Sequence, residues 1–90
     1  MIRNLTLSLP DWAVDELARL PSHLPGVRDQ MREVIRFSGL NIERDTGGPF
    51  AAGVFEIETG RLVTIGVNRV LPEQCSSAHA DIMAMSLAQR

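Results

Sequence analysis

The sequence predicts an α/β layer structure in which a helix, a β-hairpin and a further helix follow one another. The apolar residues first recur at the helical period, then form the short β-rich runs of strands, and return to a helical pattern near residue 80. Turn residues separate these segments at Gly47-Gly48-Pro49 and at Glu58-Thr59-Gly60. The composition, 44% hydrophobic and 22% charged, is that of a globular domain rather than a disordered tail.

The first 26 residues are predicted to form an N-terminal extension (1–26) that precedes the main domain (27–90). Within the extension, Asp11 to Leu20 favours a short helix, because Pro10 and Pro21 bound the segment on either side. The composition of Pro21 to Gly26 is typical of a linker or turn.

A longer amphipathic helix is predicted from about Val27 to Arg44. Charged residues occupy most of one side of this segment, and the double glycine at 47–48 ends it. The residues expected on the buried side share helical spacing: Val27, Met31, Val34, Ile35, Ser38 and Ile42.

An antiparallel hairpin is predicted next, from Phe50–Ile57 and Arg61–Asn68, with a closing helix from about Ala78. Both strands carry apolar residues on both faces, which predicts helices on both sides of the sheet. Two strands do not make an independently stable sheet. We therefore expect a partial fold that looks cut off before its C-terminal half, with an uncovered edge that favours self-association or a complementing half.

Charge and composition exclude several classes of function. The net charge of −2 gives no basic field for nonspecific nucleic-acid binding, although it does not argue against a small nucleobase ligand. No apolar run approaches the roughly 20 residues that cross a bilayer, and the first residues lack a signal-peptide pattern. A single cysteine fits a reducing, cytoplasmic location.

Three short features carry the chemistry of the sequence. They are Gly47-Gly48-Pro49-Phe50, then Asn68-Arg69, then Ala78-His79-Ala80-Asp81. Each alone has an ordinary structural explanation: a helix stop before a strand, a turn asparagine, and a surface histidine beside a helix-capping acid. Their order along the chain is more specific than any one of them.

In that order, residues 27–90 resemble the N-terminal half of the zinc-dependent cytidine deaminase-like superfamily, and most closely its guanine and nucleoside deaminase branch. The resemblance implies a fold with a helix-sheet-helix layer, a zinc cofactor, and a purine base or nucleoside as substrate. It implies that His79 is a metal ligand and that Asp81 occupies the position of the proton-shuttling carboxylate. Asn68 matches the residue that hydrogen-bonds the substrate, and Phe50 matches an aromatic that lines the pocket.

The helical geometry restricts where such a pair can meet. Residues two apart lie about 200° apart around a helix. His79 and Asp81 can therefore share a site only at a helix end, where free amides and the positive end of the helix dipole also face the site.

Two features depart from the family pattern. Asp81 stands where the family normally has Glu, and is shorter by about 1.5 Å of reach. The sequence contains no Pro-Cys-x-x-Cys, so two of three expected zinc ligands are missing. Neither Cys75 nor His23 obviously replaces them, and we interpret these as a loop thiol and a surface residue.

The sequence therefore predicts a truncated or split zinc-dependent hydrolase, a nucleobase or nucleoside deaminase that is inactive as this chain alone. The alternative is a non-catalytic binding or assembly module derived from the same fold. No membrane partner is expected.

Overall fold

The chain folds as a helical segment, a long helix, an antiparallel hairpin and a final helix. The computed structural model describes residues 1–90. Its elements are α1 (Asp11–Arg19), α2 (Val27–Glu43), β1 (Ala51–Phe55), β2 (Leu62–Val67) and α3 (Ala80–Ala88). The predicted α/β class and the predicted order of elements are confirmed. No helix combines the length and the hydrophobicity that a membrane span requires.

The two strands form one antiparallel sheet whose two ends differ in character. At one end β1 begins and β2 ends, so that Ala51 lies opposite Val67. At the other end the register shifts between Val54 and Phe55 as the chain enters the turn. Gly60 closes this turn with φ of 74°, a left-handed conformation in which glycine has no steric penalty.

Helices cover both faces of the sheet, as the apolar strands predict. A Cβ on Gly53 would lie 2.9 Å from a methyl of Val34, which places α2 on one face. On the other face α3 lies directly on Gly66, because a Cβ there would overlap the backbone nitrogen of Ala84 and lie 2.7 Å from the carbonyl oxygen of Ala80. The small residues of β2 and α3 thus fix how closely the helix approaches the strand.

The buried core joins the first 26 residues to the rest of the chain. Its fully buried apolar cluster contains Ala13 of α1 together with Phe37, Ile65 and Val67. The ring of Trp12 lies 5.6 Å from that of Phe37, centroid to centroid, in a tilted arrangement. The division into an extension (1–26) and a deaminase-like part (27–90) stays a prediction, but α1 packs on the same core as α2 and the sheet.

The predicted buried face of α2 is wrong by about a quarter turn of the helix. The buried residues of α2 are Val34, Phe37 and Asn41, of which only Val34 was expected. The other apolar residues of the predicted face are exposed: Val27, Met31, Ile35 and Ile42. The reason is the packing of Trp12 and Ala13 against Phe37, which turns that side of the helix toward α1 and the sheet.

Candidate functional site

An open cleft of about 710 Å³ lies at the end of the sheet where β1 begins and β2 ends. The entry to β1, the exit from β2 and the first turn of α3 all contribute to its walls. Its lining residues are Phe50, Ala51, Ala52, Asn68, His79, Ala80, Asp81 and Ile82. The structure thus brings all four predicted site residues, Phe50, Asn68, His79 and Asp81, to one concavity, while their roles stay predictions.

Two other concavities carry less chemistry. One lies between residues 5–7 and α3, and the other lies along the exposed side of α2. Neither is lined by an imidazole, a carboxylate or an asparagine amide. The cleft at the start of β1 is therefore the candidate site.

The start of α3 presents both ionisable groups of the cleft. His79 is the residue before the helix, in extended conformation with φ of −68° and ψ of 156°, and its side chain makes no capping hydrogen bond. Asp81 lies in the first turn, and both residues are exposed. Because the first amides of a helix have no partner within it, this end also offers N–H donors and a positive partial charge to an anionic ligand.

Asn68 is oriented by its own turn. Its backbone N–H donates to the carbonyl oxygen of Phe50 at 3.1 Å, which extends the pairing of the strands by one residue. Its side-chain Oδ1 accepts a hydrogen bond from the N–H of Val70 at 3.3 Å. The Nδ2 group makes no hydrogen bond within the protein, so both of its N–H groups can donate to a ligand in the cleft.

A buried side-chain network lies directly behind the cleft. Asn41, which has no exposed surface, donates from Nδ2 to the carbonyl oxygens of Gly48 and Asn68, each at 2.9 Å. Its Oδ1 accepts from Thr46 Oγ1 at 2.7 Å, and Thr46 Oγ1 in turn accepts from Trp12 Nε1 at 2.8 Å. The sequence prediction missed Asn41. The feature of the sequence that could have indicated its role is an amide side chain one helical turn after Phe37.

A glycine is needed at position 47 of this network for a steric reason. It has φ of 156°, and a Cβ there would overlap the carbonyl oxygen of Asn68 and lie 2.6 Å from Nδ2 of Asn41. The glycine before the strand therefore lets the backbone of β2 and the Asn41 amide come together. This is a requirement beyond the helix stop that its position predicts.

Arg69 ties the loop before His79 to the same region. Its guanidinium donates to the carbonyl oxygen of Thr46 at 2.6 Å and to that of Ser8 at 3.2 Å, with its side chain mostly buried. Its backbone N–H donates to the carbonyl oxygen of Ala78 at 2.8 Å. The residue that follows Asn68 thus also fixes the backbone next to His79.

Glu73 completes the environment of Arg69. Its carboxylate accepts a hydrogen bond from Arg69 Nη2 at 3.1 Å and another from Ser8 Oγ at 3.1 Å. These two bonds, the one from Arg69 first, lower the pKa of the Glu73 carboxyl. The arginine therefore keeps a charged partner at neutral pH.

The chain by itself does not present a complete zinc site. It contains no group of three or more His, Cys, Asp or Glu side chains that could hold a metal ion. Cys75 contacts Ser77, whose hydrogen bond lowers the pKa of the thiol, and it does not line the cleft. His23 pairs with Arg61 at the turn end of the sheet. A catalytic zinc uses three protein ligands, so His79 fits such a site only as one member of the set.

Comparison with known proteins identifies structural neighbours of the whole chain. A guanine deaminase from Nitrosomonas europaea is 44% identical over 99% of this chain, with a TM-score of 0.86. The protein NE0047 in complex with 2,6-diaminopurine is likewise 44% identical, over 96% of this chain, with a TM-score of 0.86. A variant of NE0047 in complex with 8-azaguanine gives the same TM-score and identity. The chain spans 44–48% of the length of these neighbours.

The other two comparisons give no match. No protein-family model matches the sequence, and no curated protein matches it. The similarity to the solved structures includes most of residues 1–26, since it covers 96–99% of the chain.

Proposed function

Because the chain is a partial cytidine deaminase-like fold that matches the guanine deaminase branch, we propose that it forms one wall of the active site of a guanine-type purine deaminase. The observation that supports this proposal is the cleft, in which Phe50, Asn68, His79 and Asp81 meet in a chain 44% identical to a guanine deaminase. The reaction class is hydrolysis, in which water replaces an amino group on the purine ring.

The base is bound by Asn68 and Phe50. The free Nδ2 of Asn68 donates to an acceptor on the edge of the purine, because Oδ1 is already held by Val70. Phe50, with 61% of its surface exposed, offers its ring to the planar base. The small side chains of Ala51 and Ala52 leave room for that base in the cleft.

The reacting end of the base lies toward α3. His79 supplies one zinc ligand, and the other ligands come from residues outside these 90, in a longer form of the chain or in a complementing chain. A zinc bound there would lower the pKa of its water. Asp81 carries the proton between the attacking water and the leaving amine, in the role that a glutamate has in the family.

The 90-residue chain on its own is inactive under this proposal. One imidazole does not provide the ligand set of a catalytic zinc, and Asp81 is one methylene shorter than the usual shuttle. A displacement of about 1 Å can reduce a rate about a hundredfold. The proposal includes a cytoplasmic location, for which the single cysteine is the support.

The test combines metal analysis with an activity assay. The purified 90-residue chain is expected to hold well under one zinc per polypeptide and to release no ammonia from guanine. Addition of a separate chain that carries Pro-Cys-x-x-Cys, taken from the second half of a guanine deaminase, is expected to restore both zinc binding and ammonia release.

His79→Ala is the matched control for the complemented enzyme, since it removes the metal ligand and leaves Asn68 and Phe50 in place. It is expected to abolish both signals. Stoichiometric zinc and turnover by the 90-residue chain alone would overturn the proposed incompleteness. Zinc-independent purine binding without ammonia release from any mixture would support a binding module instead.

A further inference from the structure

The buried amide of Asn41 lies behind the cleft and contacts the backbone of two segments that form it. Asn41 comes from α2, whose other buried residues are apolar, yet its amide is fully buried. Burying an amide is unfavourable unless its hydrogen bonds are made. Here they are all made, since both N–H groups of Nδ2 donate to backbone carbonyls and Oδ1 accepts from Thr46.

The two carbonyls that Asn41 holds belong to the two sides of the cleft. One is that of Gly48, two residues before Phe50, and the other is that of Asn68 itself. The side chain of Asn41 therefore connects the entry of β1 to the exit of β2, at the point where the backbone hydrogen bonding between the two strands ends. A strand end without such a bond depends only on its last backbone pair, Asn68 N–H to Phe50 O at 3.1 Å.

We propose that Asn41 is a positioning residue that sets Asn68 and Phe50 at the distance needed to hold a purine base between them. Asn41 does not line the cleft, and acts through the backbone of Asn68 and Gly48. Gly47 supports this assignment independently, because any side chain there would overlap the carbonyl of Asn68 and crowd the Asn41 amide.

The hydrogen bonds of Asn41 also connect the cleft to α1. Thr46 connects Asn41 to Trp12, and its carbonyl accepts from Arg69. A purine site built from β1, β2 and α3 is thus braced by a tryptophan from the first 26 residues. The inference rests on the proposed function for the identity of the ligand, but not for the bracing itself.

The first experiment needs no ligand. Asn41→Asp keeps the shape of the side chain and the acceptor for Thr46, but turns an oxygen instead of an amide toward the two carbonyls. Hydrogen exchange of the Asn68 backbone amide is expected to become about tenfold faster or more, the effect of losing one to two hydrogen bonds. Val34→Ala, on the same helix but not among the residues that line the cleft, is the control for general loss of stability.

Comparison of the two variants decides the matter. If the Asn68 amide exchanges no faster in Asn41→Asp than in a Val34→Ala protein of equal global stability, the positioning role is wrong. If Asn41→Asp does not fold, Asn41→Ser is measured in its place; its shorter hydroxyl cannot bridge both carbonyls, and the same local acceleration is expected.

The second experiment uses 2,6-diaminopurine as the probe, with binding to the 90-residue chain followed through the Asn68 side-chain amide resonances. Asn41→Asp is expected to weaken binding about tenfold, while Val34→Ala leaves it unchanged as long as the protein is folded. Binding by Asn41→Asp at the wild-type affinity would overturn the proposal. Absence of binding by the wild-type chain would count against the proposed ligand, while the exchange data still decide whether Asn41 positions Asn68.

Discussion

The two ends of the β-sheet are held together by different kinds of interaction. At the cleft end, buried side chains connect the segments: Asn41 bonds to the carbonyls of Gly48 and Asn68, and Arg69 bonds to that of Thr46. At the turn end, the contacts between segments include backbone hydrogen bonds, such as Leu24 N–H to the carbonyl of Gly60 at 2.8 Å. One partly buried side chain also contributes there, since Gln30 donates from Nε2 to the carbonyl of Leu24 at 2.7 Å.

The side chains at the turn end are mainly solvent-exposed. Arg61 and Glu56 form an ion pair at 3.1 Å with about half of each side chain exposed, and Thr59 donates to Glu56 at 2.9 Å. Exposed pairs of this kind contribute little to stability, whereas an unsatisfied buried polar group is costly. The difference indicates that buried polar side chains contribute more to the structure at the cleft end than at the turn end, where the constrained position is Gly60.

The largest effect on stability is expected from a substitution that forces α3 away from β2 at the cleft end. In Gly66→Ala the new methyl would meet the backbone of Ala80 and Ala84, which cannot rotate away as a side chain could. We expect a loss of about 2–3 kcal/mol in the free energy of unfolding, the upper part of the range for overpacked sites. Urea denaturation measures it.

Gly39→Ala is the matched control for this glycine. Gly39 lies inside α2, and a Cβ there would have nothing within 4 Å. Alanine is the better helix former by about 0.5–1 kcal/mol, so this variant is expected to be more stable than the wild type. Equal losses in both variants would show that the approach of α3 to Gly66 is not what limits the fold.

An intermediate effect is expected when the same substitution is made at both ends of the sheet. Thr46→Val removes the hydroxyl between Trp12 and Asn41 and leaves the partly buried Nε1 of Trp12 and the buried Oδ1 of Asn41 without that partner. We expect a loss of about 1–2 kcal/mol in the free energy of unfolding. Thr59→Val removes an exposed hydroxyl at the turn and is expected to change stability by less than about 0.5 kcal/mol.

The two variants can be compared directly, because each replaces a threonine by a valine of the same size. Urea denaturation of both variants at pH 7 is the measurement. If Thr59→Val were as destabilising as Thr46→Val, the proposed difference between buried polar side chains at the cleft end and exposed ones at the turn end would not hold.

The elements of the fold could be predicted from the sequence because their signals are local. Period changes and the turn residues around Gly48 and Gly60 mark where each helix and strand lies. The buried side of α2 could not be predicted, since it depends on a distant contact between Trp12 and Phe37. Periodicity identifies an apolar stripe, but not the neighbour that covers it.

The same distinction applies to the candidate site. Phe50, Asn68, His79 and Asp81 were predicted as a group from the order of short motifs, and all four line the cleft. Asn41 has no motif, because its role depends on the carbonyl of a residue 27 positions away. Groups that contact a ligand can be recognised from local residue types, whereas the groups that position them depend on tertiary structure.

The smallest effect is expected at the turn end and depends on pH. Hydrogen bonds from Thr59 and then Arg61 lower the pKa of the Glu56 carboxyl below its ordinary value of 4.5. A carboxyl whose pKa is lower in the folded state stabilises the fold above the unfolded-state pKa, and this contribution is lost as the pH falls through the folded-state pKa.

Glu56→Gln is therefore expected to have a slightly lower urea midpoint than the wild type at pH 7. The difference between the two proteins should close well below pH 4.5 and shrink in 0.5 M salt, because the ion pair is exposed. Titration of Glu73 occurs in both proteins and cancels in the difference. A difference in urea midpoint that persisted at the lowest pH, or that exceeded the difference caused by Thr46→Val, would contradict this expectation. It would show that side chains at the turn specify the fold as strongly as the buried amide behind the cleft.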